Sequence, residues 1–228
     1  AYRLPCVSGK DSMKNDYGTG AEKISIPPTL LFSLFGDHPD VRRSATSDFK
    51  NDGDKIYLVG VSKQELGASE LAFMLTENGQ ADGVGGQVPL LPHPEQNLST
   101  YRALAKSIRA GLIRTAHDCS EGGLAVALAE MCIGGRMGAS IDIDGTGSGD
   151  VWGRLWGESL GRFVVAVPPH HENDFLSAMK GHPTTVLGTV EASQPLIVND
   201  ADEPLIQLDV QAMASLWKGT LDLTGGVI

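Results

Sequence analysis

From Asp54 onward the chain alternates short apolar runs with amphipathic stretches. KIYLVGV reads as a strand, and Ser69 to Glu77 as a helix after the turn Leu66-Gly67-Ala68. Residues 79–96 are rich in Gly and Pro and read as a long loop, a feature that in compact domains is often functional. A helix over 98–110 follows, with Leu104 and Ile108 at core spacing and Gly111 where a terminating glycine belongs. Ile113 to Ala116 is a short strand. The next helix carries Leu124, Leu128 and Met131 at helical spacing and ends at Gly134-Gly135.

The alternation continues with strand 139–143, a Gly-rich loop 145–149, helix 151–158, strand 162–167, helix 170–180 and strand 185–191. A hairpin, PLIVNDADEPLIQL, precedes a last helix from about 209 to 217. Strands interleaved with helices predict an α/β (α+β) layered domain over 46–228, its regular elements ending near 221. The segment before it differs. Tyr2 to Ser8 and Thr29 to Phe35 read as strands, separated by the polar turn Gly9-Lys10-Asp11-Ser12 and, further on, Pro27-Pro28. Two strands cannot make an independent domain. Residues 1–45 are therefore expected to be the tail of a β-rich domain that begins upstream.

Composition narrows the functional classes. The 228 residues are 41% hydrophobic and 20% charged, the composition of a globular chain. A net charge of −10 without a basic run argues against a nucleic-acid surface. Anionic ligands must then be held by helix N-termini, Gly-rich turns or a metal. Cys6, Cys119 and Cys132 form neither a disulfide framework nor a CxxC pair, which suits a reducing, cytoplasmic setting. No apolar run reaches the roughly 20 residues that cross a bilayer, so no membrane partner is expected.

Four segments carry chemistry-bearing residues. In HDCSEGGL, Asp118 stands at a strand's C-terminal end, where α/β folds present ligand-facing carboxylates and where Mg²⁺ can bridge phosphates. Ser120 is placed to cap the helix that follows, and the glycines allow close backbone approach. The plain alternative is a Ser cap, a tight turn and an Asp bound to backbone N–H groups, with His117 a partly buried structural residue. In SGKDSMKN, Lys10, Ser12 and Lys14 flank Gly9 without forming a GxxxxGK[ST] loop, and a charged hairpin turn would look the same. Glu158 and Arg162 in GESLGR lie four apart and can pair with each other. His170-His171 point in different directions, which argues against a two-His metal site.

In order and approximate spacing, LPCVSGKDSMKND, ISIPPTLLFSLFG, DVRR, IYLVGVSKQELGASE, HDCSEGGLAVALAEM and GESLGRFVV resemble the formylglycinamide ribonucleotide amidotransferases (phosphoribosylformylglycinamidine synthases). The likeness is to the C-terminal half of their synthetase portion, in the aminoimidazole ribonucleotide synthetase-like superfamily. It implies the end of a second β-rich domain over 1–45, then an α/β domain of the aminoimidazole ribonucleotide synthetase C-terminal type. It further implies ATP and Mg²⁺ as cofactors, formylglycinamide ribonucleotide as substrate, and a ligase reaction in purine biosynthesis. The ammonia comes from a glutaminase domain or subunit.

Carried over residue by residue, Gly9 contacts ATP, Lys10 contacts phosphate where shorter relatives have a metal-ligating Asn, and Ser12 contacts substrate. Asp118 is a magnesium ligand and Ser120 contacts substrate, while Glu121 replaces the commoner Asp. The family's pseudo-symmetry gives two nucleotide sites, one of which holds a structural nucleotide in some members. Two alternatives therefore stand beside the ligase: a noncatalytic half holding nucleotide structurally, and another ATP-using member such as aminoimidazole ribonucleotide synthetase. The remaining ligands and the catalytic His belong to N-terminal synthetase domains, so this chain alone is expected to be inactive. Its unpaired strand edges suggest a homodimer of the isolated chain.

Overall fold

The computed structural model describes residues 2–9, 16–25, 29–80, 85–91, 93–193, 195–201 and 203–219. The chain divides into two units, Ala1–Arg42 and Arg43–Ile228. In the first, β1 (Asp16–Tyr17) pairs antiparallel with β2 (Ile24–Ser25). Asp16 holds this ladder together, accepting from the Ser25 hydroxyl at 2.7 Å and pairing with Lys23 at 2.8 Å. The strands expected at 2–8 and 29–35 are not in any ladder among the described residues. Leu30, Leu31, Phe32, Leu34 and Phe35 are between 77% and 95% exposed. Their apolar pattern suits a strand, but a strand exists only where a neighbour takes its N–H and C=O groups.

The second unit carries β3 (Lys55–Val59), α1 (Glu70–Glu77), α2 (Pro94–Arg109), β4 (Thr115–Asp118), α3 (Gly123–Gly135), β5 (Gly138–Asp142) and α4 (Val151–Trp156). After these come β6 (Phe163–Val167), α5 (Glu172–Ala178), β7 (Thr184–Glu191), β8 (Leu196–Asp200), β9 (Glu203–Leu208) and α6 (Val210–Gly219). The strands form one seven-stranded sheet in the order β4-β6-β3-β7-β5-β8-β9. Its β5–β8 pair is parallel and the others are antiparallel.

Helices cover both faces of this sheet, which explains why IYLV (56–59) and FVVAV are apolar throughout instead of alternating. Ile56, Leu58, Val164 and Ala166 face α3 and α6 through Leu124, Leu128, Met131, Val210 and Met213. Tyr57, Val59, Val165 and Val167 face α2 and α5 through Leu104, Phe175 and Met179. The chain is thus an α/β layered domain, as its sequence pattern predicts. No helix among the described residues is long and apolar enough to cross a membrane.

Several ends differ from expectation for local reasons. α2 begins at Pro94, four residues earlier than the periodicity suggests, because Pro at a first helical position loses no hydrogen bond. α4 stops at Trp156, with Gly157 as its extended C-cap. The helix expected over 170–180 opens as a 3₁₀ turn, Pro169–His171, before α5, and the rings of His170 and His171 lie 4.2 Å apart, tilted by 52°. α3 turns out through Arg136 in the left-handed region (φ 55°) and not through a glycine. Gly135 serves another purpose, since a Cβ there would lie 2.2 Å from the Phe49 carbonyl oxygen. That strand-like backbone is tied to α3 by Phe49 N–H donating to Met131 O at 3.1 Å.

Two outcomes follow from this core. Leu128, wholly buried under the sheet, should lose about 2–5 kcal/mol on replacement by Ala in urea unfolding. Burial pushes the Cys119 thiol up to about 11, with Arg162 opposing, and the Cys132 thiol up to about 12. Only the exposed Cys6 should therefore alkylate with iodoacetamide in the native protein at mildly alkaline pH, all three reacting in denaturant.

Candidate functional site

β4 lies at one edge of the sheet, and its last residue, Asp118, stands opposite Phe163 of β6. The strand delivers the carboxylate to the surface, with its side chain 60% exposed. The Ser120 hydroxyl donates a short hydrogen bond to Asp118 Oδ2, and the imidazole of His117 contacts Asp118 O at 2.8 Å. The Ser120 bond, opposed in part by desolvation, holds the Asp118 carboxyl below the usual carboxylate range. Sequence reasoning placed Asp118 and Ser120 on one turn, without the hydrogen bond that joins them. It erred on the helix cap: α3 is preceded by Gly122 in the left-handed region (φ 74°), without a side-chain cap. The Ser120 hydroxyl donates to Asp118 Oδ2 instead.

The expected Glu158–Arg162 pair is absent as well. α4 ends before Glu158, so the helical four-residue spacing does not apply to it. Glu158 Oε1 instead accepts two backbone N–H groups, from Gly122 and from Glu70, each at 2.9 Å. It thereby joins the entrance of α3 to the first residue of α1. Spacing carried no signal for this bridge, because both donors come from distant parts of the chain.

Arg162 is 1% exposed and spends its fork on oxygens. Nε donates to Ser159 O at 3.0 Å, Nη1 to Ser62 Oγ at 2.8 Å, and Nη2 to Gly157 O in a short bond. Desolvation lowers its pKa, while Cys119, Glu65 and Glu158 pull it up. Its own carbonyl accepts from Cys119 N–H at 3.0 Å, fixing the chain immediately after Asp118.

These residues line an open cleft of about 590 Å³ bordered by Pro89, Tyr101, Asp118, Ser120, Glu158 and Arg162. A second hollow of about 460 Å³ shares Leu160 and Gly161 with it and is lined by Lys63, His93 and His182. Among the described residues, no group of three or more His, Cys, Asp or Glu is arranged to hold a metal. Asp118 alone still fits Mg²⁺, which commonly takes one or two carboxylates and completes its shell with phosphate oxygens and water. His117 is mostly buried, with its side chain 18% exposed. Of the remaining candidates, Gly9 belongs to the first unit and is exposed, with open space where a Cβ would stand. Lys10 and Ser12 lie outside the described residues.

The family described as AIR synthase related protein, C-terminal domain, matches residues 51–200. Similar folds occur in PurL of Thermotoga maritima, solved with ATP (20% identity, TM-score 0.58, covering 76% of this chain and 28% of that one). The same protein solved with FGAR aligns with a TM-score of 0.61 at 18% identity, over 76% of this chain and 30% of that one. The hydrogenase maturation protein HypE of E. coli aligns with a TM-score of 0.52 at 16% identity, over 73% of this chain and 52% of that one. This chain thus spans under a third of the PurL structures, and at these identities the likeness is one of fold.

The glycine pair at the entrance of α3 gives a direct test of the site's backbone. A Cβ on Gly123, at φ 64°, would stand 2.5 Å from Gly157 O and 2.8 Å from Leu155 O. Gly123→Ala should cost about 2 kcal/mol or more, from the left-handed backbone and the contact together, and should appear as a lowered Tm.

Proposed function

The chain belongs to the AIR synthase related C-terminal domain family, and on that premise we propose that it is the α/β half of an ATP-dependent carbon–nitrogen ligase of purine biosynthesis. Its substrate would be formylglycinamide ribonucleotide, as in the PurL structure solved with FGAR. The amide oxygen attacks the γ-phosphorus of ATP, ADP leaves, and an imidoyl phosphate remains. Ammonia, supplied by a glutaminase domain or subunit, then attacks that carbon and phosphate departs.

The observation that carries this reading is the Asp118 carboxylate at the C-terminal end of β4, held by Ser120 at the mouth of the cleft. Asp118 would hold Mg²⁺, which when bound shields phosphate charge during transfer. Ser120 would turn toward the substrate while steadying Asp118. Gly9 and Lys10 would serve ATP phosphates and Ser12 the substrate. The PurL structures solved with ATP and with FGAR share this fold, which supports a nucleotide-using assignment.

The same cleft, with Asp118 and Glu158 on its lining, also admits a second reading, a noncatalytic half that holds nucleotide structurally. Residues 1–45 would then, in either reading, complete a β-rich domain with segments beyond this chain. The exposed Leu30–Phe35 stretch would be the surface through which isolated copies pair, and a monomeric mass in solution would overturn that pairing.

Calorimetric titration with ADP and Mg²⁺ tests the site. Binding by the unsubstituted chain that disappears in Asp118→Ala is the expected result, and equal binding by both proteins would overturn the assignment. Turnover separates the two readings. In the complete enzyme Asp118→Asn should abolish synthesis with little loss of stability, whereas a structural nucleotide site would lower stability and leave synthesis largely intact. The chain alone should give no turnover with ATP, ammonia and formylglycinamide ribonucleotide.

A further inference from the structure

Glu130 is the one charged residue in α3, GLAVALAEMCIGG, and nothing in the reading above uses it. Its Oε2 lies 3.0 Å from Nε2 of His117. The other ring nitrogen, Nδ1, lies 2.8 Å from Asp118 O and 3.5 Å from Asp118 Oδ1. The imidazole is thus clamped edge to edge, one nitrogen on α3 and the other on the end of β4. Turning the ring over would put carbons against both oxygens, so the two contacts together fix its orientation. Ser120 meanwhile holds Asp118 from the Oδ2 side. Asp118 is therefore held at its carboxylate by a hydroxyl and at its backbone carbonyl by a ring that Glu130 keeps in place, the ring also standing 3.5 Å from Oδ1.

We propose that Glu130 is a positioning residue for Asp118, acting through His117. Glu130 does not face the Asp118 cleft. It lines a separate cavity of about 770 Å³ with His117, Arg136 and Trp217, and so reaches the site only by way of the imidazole. A ligand that is already oriented before the metal arrives loses less freedom on binding, and outer residues that orient ligands typically change metal affinity by about 10–100-fold. This inference rests on the reading of Asp118 as a Mg²⁺ ligand in a nucleotide site.

The test uses the whole chain, with Mn²⁺ as a spectroscopic substitute for Mg²⁺ and ADP as the nucleotide. The quantity read is the gain in ADP affinity that Mn²⁺ confers over EDTA, which a purely structural residue would not move in folded protein. Glu130→Ala should lower this gain about tenfold, and Glu130→Gln, which can still meet Nε2, should recover most of the loss. Because Glu130 is partly exposed and Ala favours helices, the variant should fold, and its thermal unfolding curve verifies that. His117→Ala should cost as much, and the double variant no more than either alone. If Glu130→Ala keeps the full gain while Asp118→Ala abolishes it, the inference falls and the reading of Asp118 stands. Additive losses in the double variant would overturn the route through His117. If Asp118→Ala keeps the gain, or the unsubstituted chain shows none, the reading of Asp118 falls and takes the inference with it.

Discussion

A cation kept out of water governs the geometry of the site end of this domain. Taking a guanidinium out of solvent costs several kcal/mol, and only a full set of acceptors offsets that cost. Arg162 finds them on Ser159, Ser62 and Gly157 and leaves none of its three donor nitrogens idle. A lysine cannot replace it, since one ammonium cannot span three acceptors held in a plane. Its backbone carbonyl simultaneously takes the N–H of Cys119. The end of β4, the segment after β3 and the turn after α4 therefore meet at one residue.

The sheet supplies the frame for this junction. β6 is buried on both faces and sits between β3 and β4, so the residue before its first position is locked wherever the core locks the strand. Asp118, paired across from Phe163, inherits that rigidity although its own carboxylate reaches solvent. Glu158 then draws the first residue of α1 and the residue before α3 onto a single oxygen. A flexible-looking surface turn is in this way tied to a core strand, a buried cation and two helix starts.

The layered fold was legible because IYLV (56–59) and FVVAV are continuous apolar runs and the intervening helices show regular spacing. The candidate carboxylate was legible too, since a strand ending in Asp before a Gly-rich turn presents it in an expected place. What was not legible depended on partners remote in sequence. The helix cap expected of Ser120 does not form, because a cap and an Asp-holding hydroxyl look alike until the backbone of Gly122 is known to be left-handed. Glu158 and Arg162 suggested a pair because spacing cannot show that the helix stops at Trp156. The apolar stretches at 2–8 and 29–35 have strand-like patterns, but pattern alone does not provide the neighbour that a ladder requires.

The convergence on Arg162 also sets where this chain can change length. Gly157, Ser159 and the Arg162 guanidinium form a molecular ruler, so one inserted residue between them would pull a carbonyl away from a buried charge. Deletions there would do the same in reverse. At Gly53 and Gly111, by contrast, nothing stands within 4 Å of where a Cβ would lie. Those turns are the places to graft an epitope or a fluorescent reporter without disturbing the site.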